Sequence, residues 1–361
     1  MFTGVAGELP DKEQANLDCL RAFAVAAVLL NHISLLLAQR HHHLTTRLLS
    51  SIGMVGVIAF FVHTSLVLML SLERMPAGSR TLHFYLRRIF RIYPLSIACV
   101  VCVLVFKIPA SPMADMKFIE VSDQVIAANL LLMQNIIGKY SVSGPLWSLP
   151  FEVQMYAVLP LAFAVARSRN ALARLLGIIV AFALLGWMVQ FNTGHAGLLA
   201  FIPCFLAGVV AYVFSKRLRR RVPALLWPFA VVIWIILTTW SLTAPVPMRM
   251  PASWAASLLL GMGIFCFRDS THRGWNQVTA FVAKYSYGVY LSHTPLLWFV
   301  FGVLRIGNDA AGVLLWLGLT LLASVLLYHA LEGPLKLLGH RLTPNLPKPS
   351  IPALQDSLIP N

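Results

Sequence analysis

Ten apolar runs dominate the sequence, and each has about the length of a helix that crosses a lipid bilayer. They lie at 18–38, 53–73, 89–108, 146–166, 172–190, 197–214, 223–241, 252–268, 284–304 and 310–332. Inside a bilayer the backbone must satisfy its own hydrogen bonds, which a helix does within one segment. The sequence therefore predicts an all-α fold, a polytopic transmembrane helix bundle of about ten spans.

The composition excludes a soluble or a disordered chain. Of the 361 residues, 58% are apolar and 11% are charged, whereas soluble domains average about 45–50% apolar and about 25% charged residues. Ten spans and their loops occupy almost the whole chain, so we expect one membrane domain at 17–340. A polar segment at 1–16 precedes it, and a Pro-rich tail at 341–361, expected to be disordered, follows it.

The net charge of +15 comes from short basic clusters between the apolar runs. If the N-terminus is cytoplasmic, ten spans place 21 of the 28 Lys and Arg residues on the cytoplasmic side and seven outside. This distribution follows the positive-inside rule and requires no nucleic-acid partner. We therefore expect a multi-pass protein of the cytoplasmic (inner) cell membrane, surrounded by its lipids, with both termini in the cytoplasm.

A shorter apolar run at 124–136 has polar residues on both sides. Its length is below that of a bilayer span. We interpret it as an interfacial or re-entrant segment rather than as a further span.

Ionisable side chains inside the predicted spans are candidate site residues, because a charge in hydrocarbon is costly unless it is paired or functional. The candidates are Asp18, Arg21, His32, His63, Glu152, His293, His329 and Glu332. Those that converge in the bundle would mark its functional site.

Arg21 and His32 lie on one face of the first predicted span. They are 11 residues apart, which in an α-helix separates them by about 16 Å along the axis and by roughly 20° around it. Asp18, one helical turn before Arg21, is placed to pair with it at the inner boundary. Alternatively, Asp18 and Arg21 are interfacial anchors, since arginines at span ends commonly extend to the interface.

His32 lies in the outer half of its span, too deep for so short a side chain to reach water. Glu152, within two turns of the outer end of the fourth predicted span, lies at about the same depth. The two side chains are therefore expected to form a buried pair in which the carboxylate fixes the tautomer of the imidazole. The alternative is a hydrogen bond that only packs the helices.

Arg88 and Arg91 lie three residues apart in FYLRRIFRIYP at 84–94, at the inner end of the third predicted span. Guanidinium pairs suit a polyphosphate, because each binds phosphate oxygens through two hydrogen bonds, although positive-inside anchoring is the alternative. With Arg21 they mark a dock for an anionic cofactor. The distance of about 16 Å from Arg21 to His32 is comparable to a phosphopantetheine arm, so the pattern predicts acyl transfer from acyl-CoA.

Five sequence blocks, in order, resemble the acyltransferase-3 family of integral-membrane O-acyltransferases. LDCLRAFAV at 17–25 with His32 is similar to the family's Arg-x10-His opening, and FYLRRIFRIYP to its Arg-x-x-Arg block. LWSLPFEVQMY at 146–156 resembles the Trp-Ser-Leu-x-x-Glu-x-x-x-Tyr block, and YSYGVYLSHTPLL at 285–297 the Ser-Tyr-Gly-x-Tyr-Leu-x-His-x-Pro-Leu block. HALEGPLK at 329–336 resembles the Glu-x-Pro ending. The resemblance covers nearly the whole chain.

The resemblance implies that His32 acts as general base or transient acyl carrier and that Glu152 supports the site. The donor-binding residues are then Arg21, Arg88 and Arg91, with Asp18 as the partner of Arg21. Candidates for substrate contact or structure in the matching blocks are Trp147, Tyr156, Ser286, Tyr290 and His293. Acyl-CoA, expected to be acetyl-CoA, would be the co-substrate, and a hydroxyl of a cell-surface glycan or glycolipid the acceptor. We expect neither a tightly bound cofactor nor a metal.

One block departs from the family pattern. The second span reads FFVHTSLVLM at 60–69, where the family usually has Phe-Phe-Val-x-Ser-Gly-Phe. Thr64 and Ser65 therefore replace the usual Ser-Gly, and His63 is additional. We expect this difference to bear on helix packing or on the choice of acceptor.

Other functions also suit a bundle with intramembrane polar groups. A transporter or flippase for a polyanionic lipid or glycan needs similar groups, but the chain has no detectable repeat, and consumption of acyl-CoA discriminates the two functions. Haem ligation by His32, His63, His293 and His329 is disfavoured, because His32 and His329 lie at different depths. The histidine run at 41–43 has no carboxylate or Cys nearby and is interpreted as a polar loop.

Overall fold

The computed structural model describes residues 15–41, 47–111, 117–217 and 222–343. Within these ranges the predicted all-α fold is confirmed, and no β-strand is present. The α-helices are α1 (Ala15–Arg40), α2 (Arg47–Glu73), α3 (Arg80–Val105), α4 (Asp123–Leu130), α5 (Leu149–Ala166), α6 (Ala171–Thr193), α7 (Ile202–Ser215), α8 (Leu226–Ser241), α9 (Val246–Ile264), α10 (Arg273–Trp298), α11 (Asp309–Leu327) and α12 (Gly333–Arg341). Short 3-10 helices form at Gly144–Trp147 and Gly197–Ala200, and π-helices at Phe299–Val303 and Tyr328–Glu332.

Each of the ten apolar runs overlaps one of the longer helices, α1 to α3 and α5 to α11. Six segments of the described chain are long and apolar enough to cross a membrane: Ala15–Arg40, Leu48–Glu73, Arg80–Val105, Gly144–Ala166, Ala171–Thr193 and Asp309–Arg341. The helices α7 and α8 are apolar but shorter, and α10 carries more polar side chains. The count of about ten spans and the side of the termini stay predictions.

The short apolar run at 124–136 forms the helix α4 and a series of turns. Leu132 adopts a positive φ of 53°, and Gln134 donates from Nε2 to the carbonyl oxygen of Leu146 over 3.1 Å. The hydroxyl of Tyr93 donates to the carbonyl oxygen of Leu131 over 3.2 Å. The segment is therefore packed against α3 and the chain that leads into α5, and α4 has only eight residues.

The predicted terminal segments 1–16 and 341–361 lie almost wholly outside the described residues. Their few described residues belong to the folded domain. Asn16 is buried, and its Nδ2 donates to the carbonyl oxygen of Arg268 over 3.3 Å. At the other end, Nε of Arg87 donates to Oγ1 of Thr343 over 2.7 Å. Both ends of the helical domain are thus fastened to distant helices.

The helix α2 lies at the centre of the bundle, packed against α1 and α7. It is apolar on nearly all sides, as a buried helix must be. Two glycines let its neighbours approach closely: a Cβ on Gly56 would lie 2.6 Å from the carbonyl oxygen of Ala24, and one on Gly208 would lie 2.3 Å from that of Val62. Small residues at these crossings therefore fix α2 against α1 and α7.

The packing of α2 on α7 explains the unusual block in the second span. Ser65 is fully buried, and its hydroxyl donates to the carbonyl oxygen of Phe61 over 2.7 Å. A Cβ on Gly208 would lie only 2.3 Å from Oγ of Ser65. In this chain the small residue at the crossing is thus the glycine of α7, and α2 contributes the larger serine.

We expect Gly208→Ala to lower the thermal midpoint of the detergent-purified protein by several degrees. The added methyl group would overlap the backbone of α2, and overpacking costs about 1–3 kcal/mol. The midpoint is read from the loss of the monodisperse size-exclusion peak after heating. Gly318→Ala in α11 is the matched control, because a Cβ there meets nothing within 4 Å. Equal midpoints for Gly208→Ala and the wild type would contradict this packing.

Candidate functional site

A cavity of about 100 Å³, open to solvent and lined by polar and apolar side chains, lies between α1, α2, α3, α5 and α10. Its polar lining consists of Arg21, His63, Thr64, Arg88, Arg91, Ser148, Glu152, Tyr156, Ser286, Tyr287 and Tyr290. Seven of the 11 side chains that the sequence proposes for the site line this cavity. The fold therefore brings together blocks that are distant in the chain.

Three arginines converge on the cavity from two helices. Arg21 belongs to α1, and Arg88 and Arg91 lie one turn apart on α3. The helix α3 begins nine residues before the predicted start of its span, so both arginines belong to one continuous helix and share a face. Arg21 is attracted electrostatically by Glu152 and by Asp18, and it is repelled by Arg88.

The three arginines differ in their hydrogen bonding. Nε of Arg21 and Nε of Arg88 are buried and have no hydrogen-bond partner among the described residues. Arg91 instead forms an ion pair with Glu332, and the two side chains are 15% and 0% exposed. Its guanidinium carbon also lies 5.4 Å from the ring centroid of Tyr287. Arg21 and Arg88 thus each keep an unused donor and lack the ion-pair partner that anchors Arg91.

Glu332 reaches Arg91 from the far end of the chain. It is the last residue of the π-helix Tyr328–Glu332, where the wider turn changes the direction of the side chains between α11 and α12. Arg87, one turn before Arg91 on α3, donates to Thr343 just beyond α12. These two contacts fasten the C-terminal helix to the arginine-bearing helix.

Glu152 is the acidic member of the arginine cluster. It lies in the first turn of α5, where the helix N-terminus favours a negative charge. The hydroxyl of Tyr156, one turn later, donates to its Oε1 over 2.5 Å. The carboxylate also interacts electrostatically with Arg21, Arg88 and Arg91. One carboxylate thus faces three guanidinium groups across the cavity.

The predicted pair between Glu152 and His32 is not formed. His32 does not line the cavity, and its hydrogen-bond partners in the described chain are Val28 and His293. The reason is the depth of Glu152, which lies at the cavity with Arg21, about 16 Å by helix rise from His32 along α1. His32 instead lies where α1 packs on α10.

His32 contacts His293 of α10 instead. The two ring centroids are 4.8 Å apart, and the rings meet edge to face at 71°. Nδ1 of His32 lies 2.9 Å from the carbonyl oxygen of Val28 and 3.4 Å from Nε2 of His293. Nδ1 of His293 lies 2.8 Å from the carbonyl oxygen of Tyr290 and 3.2 Å from that of Val289. The two imidazoles form a histidine pair at the interface of α1 and α10.

Tyr290 stands between the histidine pair and the arginine cavity. Its hydroxyl lies 2.7 Å from Oγ of Ser148, and its ring centroid lies 6.1 Å from that of His293 and 6.0 Å from that of Phe60. Tyr290 and Phe60 line the cavity, whereas His32 and His293 do not. The site thus has two parts that adjoin at Tyr290.

Two other predicted residues have mainly structural surroundings. Trp147 does not line the cavity, and its ring packs against Phe151 and Phe201 with centroid distances of 6.1 Å and 5.9 Å. Ser286 lines the cavity, but its hydroxyl donates to the carbonyl oxygen of Ala283 over 2.8 Å. Neither contact tests a role in substrate binding.

The sequence prediction gave no specific role to His63 and Tyr287, which line the cavity, or to Glu332, which is not part of its lining but contacts Arg91. His63 is buried and lines the cavity beside Thr64, and Glu332 holds Arg91. His63 and Glu332 carry a sequence signal, since both are ionisable groups within predicted spans. Tyr287 carries none, because nothing in its block separates it from the neighbouring tyrosines.

The histidines outside the cavity contact protein groups. His32 and His293 contact each other over 3.4 Å between ring nitrogens, which leaves no room for an iron between these two atoms. Nε2 of His329 lies 3.2 Å from the hydroxyl of Tyr285. His41 contacts Asp309, and residues 42–43 of the same histidine run lie outside the described residues.

A family model described as an acyltransferase domain matches residues 14–329 of the chain. The matched range contains the cavity arginines, Glu152 and the histidine pair, and it ends three residues before Glu332. No curated protein and no solved structure gives a match.

We expect Glu332→Gln to lower the thermal midpoint of the purified protein. The change removes the ion-pair partner of the buried Arg91, and breaking a buried pair on one side costs up to about 3–5 kcal/mol. Glu120→Gln is the matched control, because Glu120 and its partner Lys107 have side chains that are 85% and 68% exposed. The double variant Arg91→Met with Glu332→Leu removes both charges and should regain part of the lost stability. A double variant less stable than Glu332→Gln would contradict the assignment.

Proposed function

The chain belongs to the acyltransferase-3 family, and we propose that it moves an acyl group, expected to be acetyl, from acyl-CoA to a hydroxyl of a cell-surface glycan or glycolipid. The observation that carries the proposal is the order of groups along α1. Arg21 lines the arginine cavity, and His32 lies about 16 Å further along the same helix. A phosphopantetheine arm has about this reach, so phosphates held near Arg21 allow the thioester to approach His32.

The arginine cavity suits the phosphates of CoA. Guanidinium groups bind phosphate oxygens through charge-assisted hydrogen bonds and stay charged at any working pH. Arg21 and Arg88 supply the donors, since their Nε atoms have no other partner in the described chain. Arg91 adds positive charge from a position that Glu332 fixes. Glu152 balances part of this charge when no donor is bound.

His32 moves the proton. Because its Nδ1–H donates to the carbonyl oxygen of Val28, the lone pair of the neutral ring lies on Nε2. Nε2 takes the proton of the acceptor hydroxyl as the hydroxyl oxygen attacks the thioester carbonyl, and then gives it to the departing thiolate. The products are the acylated acceptor and free CoA. Glu152 acts at the donor cavity rather than on His32.

Tyr290 controls the passage between the two parts of the site. Its hydrogen bond to Ser148 holds its ring where the pantetheine arm must pass to reach His32. A single hydroxyl pair of this kind contributes only about 0.5–1.5 kcal/mol, so the arm of a bound donor can displace the ring.

The proposal assigns the two substrates to the two faces of the membrane. With the N-terminus in the cytoplasm, acyl-CoA enters beside Arg21 from the cytoplasmic side. The acceptor meets the thioester in the outer half of α1, where His32 lies. The inner cell membrane, which separates cytoplasmic acyl-CoA from surface glycans, is the location that this arrangement requires.

We expect His32→Ala to abolish acyl transfer, with a fall of about 100-fold or more, because it removes the proposed general base. Cells that express each variant are fed labelled acetate, and alkali-labile label is counted in the lipid, glycan and secreted fractions. His195→Ala, at an exposed position between α6 and α7, is the control. Equal label in His32→Ala and wild-type cells at equal membrane abundance would contradict the role of His32.

We expect Arg88→Ala to raise the half-saturating concentration of acetyl-CoA by about 10- to 100-fold without changing the maximal rate, because it removes a charge-assisted phosphate contact. Initial rates are measured in inverted membrane vesicles with labelled acetyl-CoA. Arg174→Ala, at an exposed position in α6, controls for the loss of one positive charge. If only the maximal rate fell, Arg88 would not bind the donor.

A further inference from the structure

Hydrogen bonds within the histidine pair determine which ring nitrogens carry protons. Nδ1 of His32 is 2.9 Å from the carbonyl oxygen of Val28, and Nδ1 of His293 is 2.8 Å from that of Tyr290. A carbonyl oxygen only accepts hydrogen bonds, so both Nδ1 atoms carry the proton. Nε2 of His293 is then an acceptor. The Nδ1–H of His32 is shared between the carbonyl oxygen of Val28 and Nε2 of His293, which lies 3.4 Å from Nδ1.

The reverse arrangement is unfavourable. If His293 donated from Nε2 to Nδ1 of His32, that Nδ1 would carry a lone pair instead of a proton. The lone pair would face the carbonyl oxygen of Val28 at 2.9 Å, and two acceptors at this distance repel each other. His293, whose Nδ1 already donates, would also have to carry a positive charge inside the bundle.

We propose that His293 is a positioning residue for His32, a role that rests on the proposed function. Nε2 of His293 and the carbonyl oxygen of Val28 together hold the proton of His32 on its Nδ1. The lone pair of His32 is then on its own Nε2, toward the acceptor. When His32 takes up a second proton, the bond to His293 becomes charge-assisted and stronger. A neutral imidazole thus does the work that a carboxylate does beside the histidine of a Ser-His-Asp triad.

The proton balance of the step leaves His293 unchanged. The O–H bond of the acceptor breaks as the O–acyl bond forms, and the C–S bond of the thioester breaks. His32 receives the hydroxyl proton on Nε2 and returns it to the departing sulfur. His293 accepts a hydrogen bond throughout and neither gains nor loses a proton.

The surroundings of His293 hold it in one position. Its side chain is completely buried, and Nε1 of Trp316 in α11 donates to its carbonyl oxygen over 2.8 Å. One turn and a half earlier, a Cβ on Gly288 would lie 3.0 Å from Cα of Ser324, so α10 and α11 pack closely there. A ring fixed by two neighbouring helices and its own backbone is suited to orient a second ring.

Two amide variants of His293 separate positioning from a purely structural role. His293→Asn keeps an N–H donor near Nδ1, and with it the bond to Tyr290, but it has no acceptor where Nε2 lies. His293→Gln has a longer side chain, which places an acceptor oxygen near Nε2 and gives up that donor. A structural role therefore predicts that Asn is the better substitute, whereas positioning predicts that Gln is better.

In inverted membrane vesicles with labelled acetyl-CoA, we expect the maximal rate to fall by about 100-fold in His293→Asn and by less than about tenfold in His293→Gln. The half-saturating concentration of acetyl-CoA should stay unchanged in both, because His293 does not line the donor cavity. Rates are divided by the amount of each variant in the membrane. A loss in His293→Gln that equals or exceeds the loss in His293→Asn would overturn the proposal.

A measurement on the wild-type protein depends neither on the two amide variants of His293 nor on enzyme activity. The wild-type protein is labelled with 15N-histidine in lipid bilayers, and the His32 signals are identified by their absence in His32→Ala. We expect a protonated Nδ1 and an unprotonated Nε2 on His32, with the N–H of Nδ1 coupled to a nitrogen of His293. A proton on Nε2 of His32 in the neutral ring would overturn the proposal.

The two proposals fail in different ways. If the nitrogen spectra show the expected tautomer but His32→Ala transfers acetyl groups normally, the proposed function is wrong and the histidine pairing stands. If His32→Ala is inactive but His293→Asn is faster than His293→Gln, the role of His32 as base is supported and the proposed role of His293 is wrong.

Discussion

Three arginines enter one cavity of a membrane bundle, and each needs negative charge nearby because hydrocarbon does not solvate a guanidinium. Glu332 meets Arg91 from the π-helix after α11, and Glu152 faces Arg21 from the first turn of α5. Four distant parts of the chain are thereby drawn to one place. The same positive charge would attract the phosphates of the proposed acyl-CoA donor, so the stability of the cavity and its proposed function have a common physical origin.

Hydrogen bonds to backbone carbonyl oxygens orient the two histidines, whereas the arginines are held by carboxylates. His32 and His293 each donate to a carbonyl oxygen three or four residues earlier on their own helix. Each ring direction is thus set locally by its helix, and the packing of α1 on α10 then brings the two rings together. Both rings are held in place by the protein itself, which is the preorganisation that the proposed proton transfer needs.

The close helix crossings determine where these groups lie. Gly56 and Gly208 hold α1 and α7 against the central α2, which is apolar nearly all round and cannot set its own orientation by amphipathicity. In a bilayer the hydrophobic effect does not select among helix neighbours, and close contact at small residues does. At the crossing of α2 and α7, Ser65 of α2 lies against Gly208 of α7, where a Cβ would overlap its hydroxyl oxygen.

The sequence by itself determined the helical class and the chemistry-bearing blocks, because the bilayer imposes a length and an apolar character that each run displays. It also placed Arg21 and His32 correctly on one helix, since that depends only on helix geometry. Only the tertiary structure decided the partners. Depth along two helices suggested Glu152 for His32, but in the folded bundle Glu152 lies beside Arg21, and His293 of α10 contacts His32 instead. Glu332 was visible as a buried charge, yet its pairing with Arg91 depends on a π-turn and on long-range packing that local sequence does not encode.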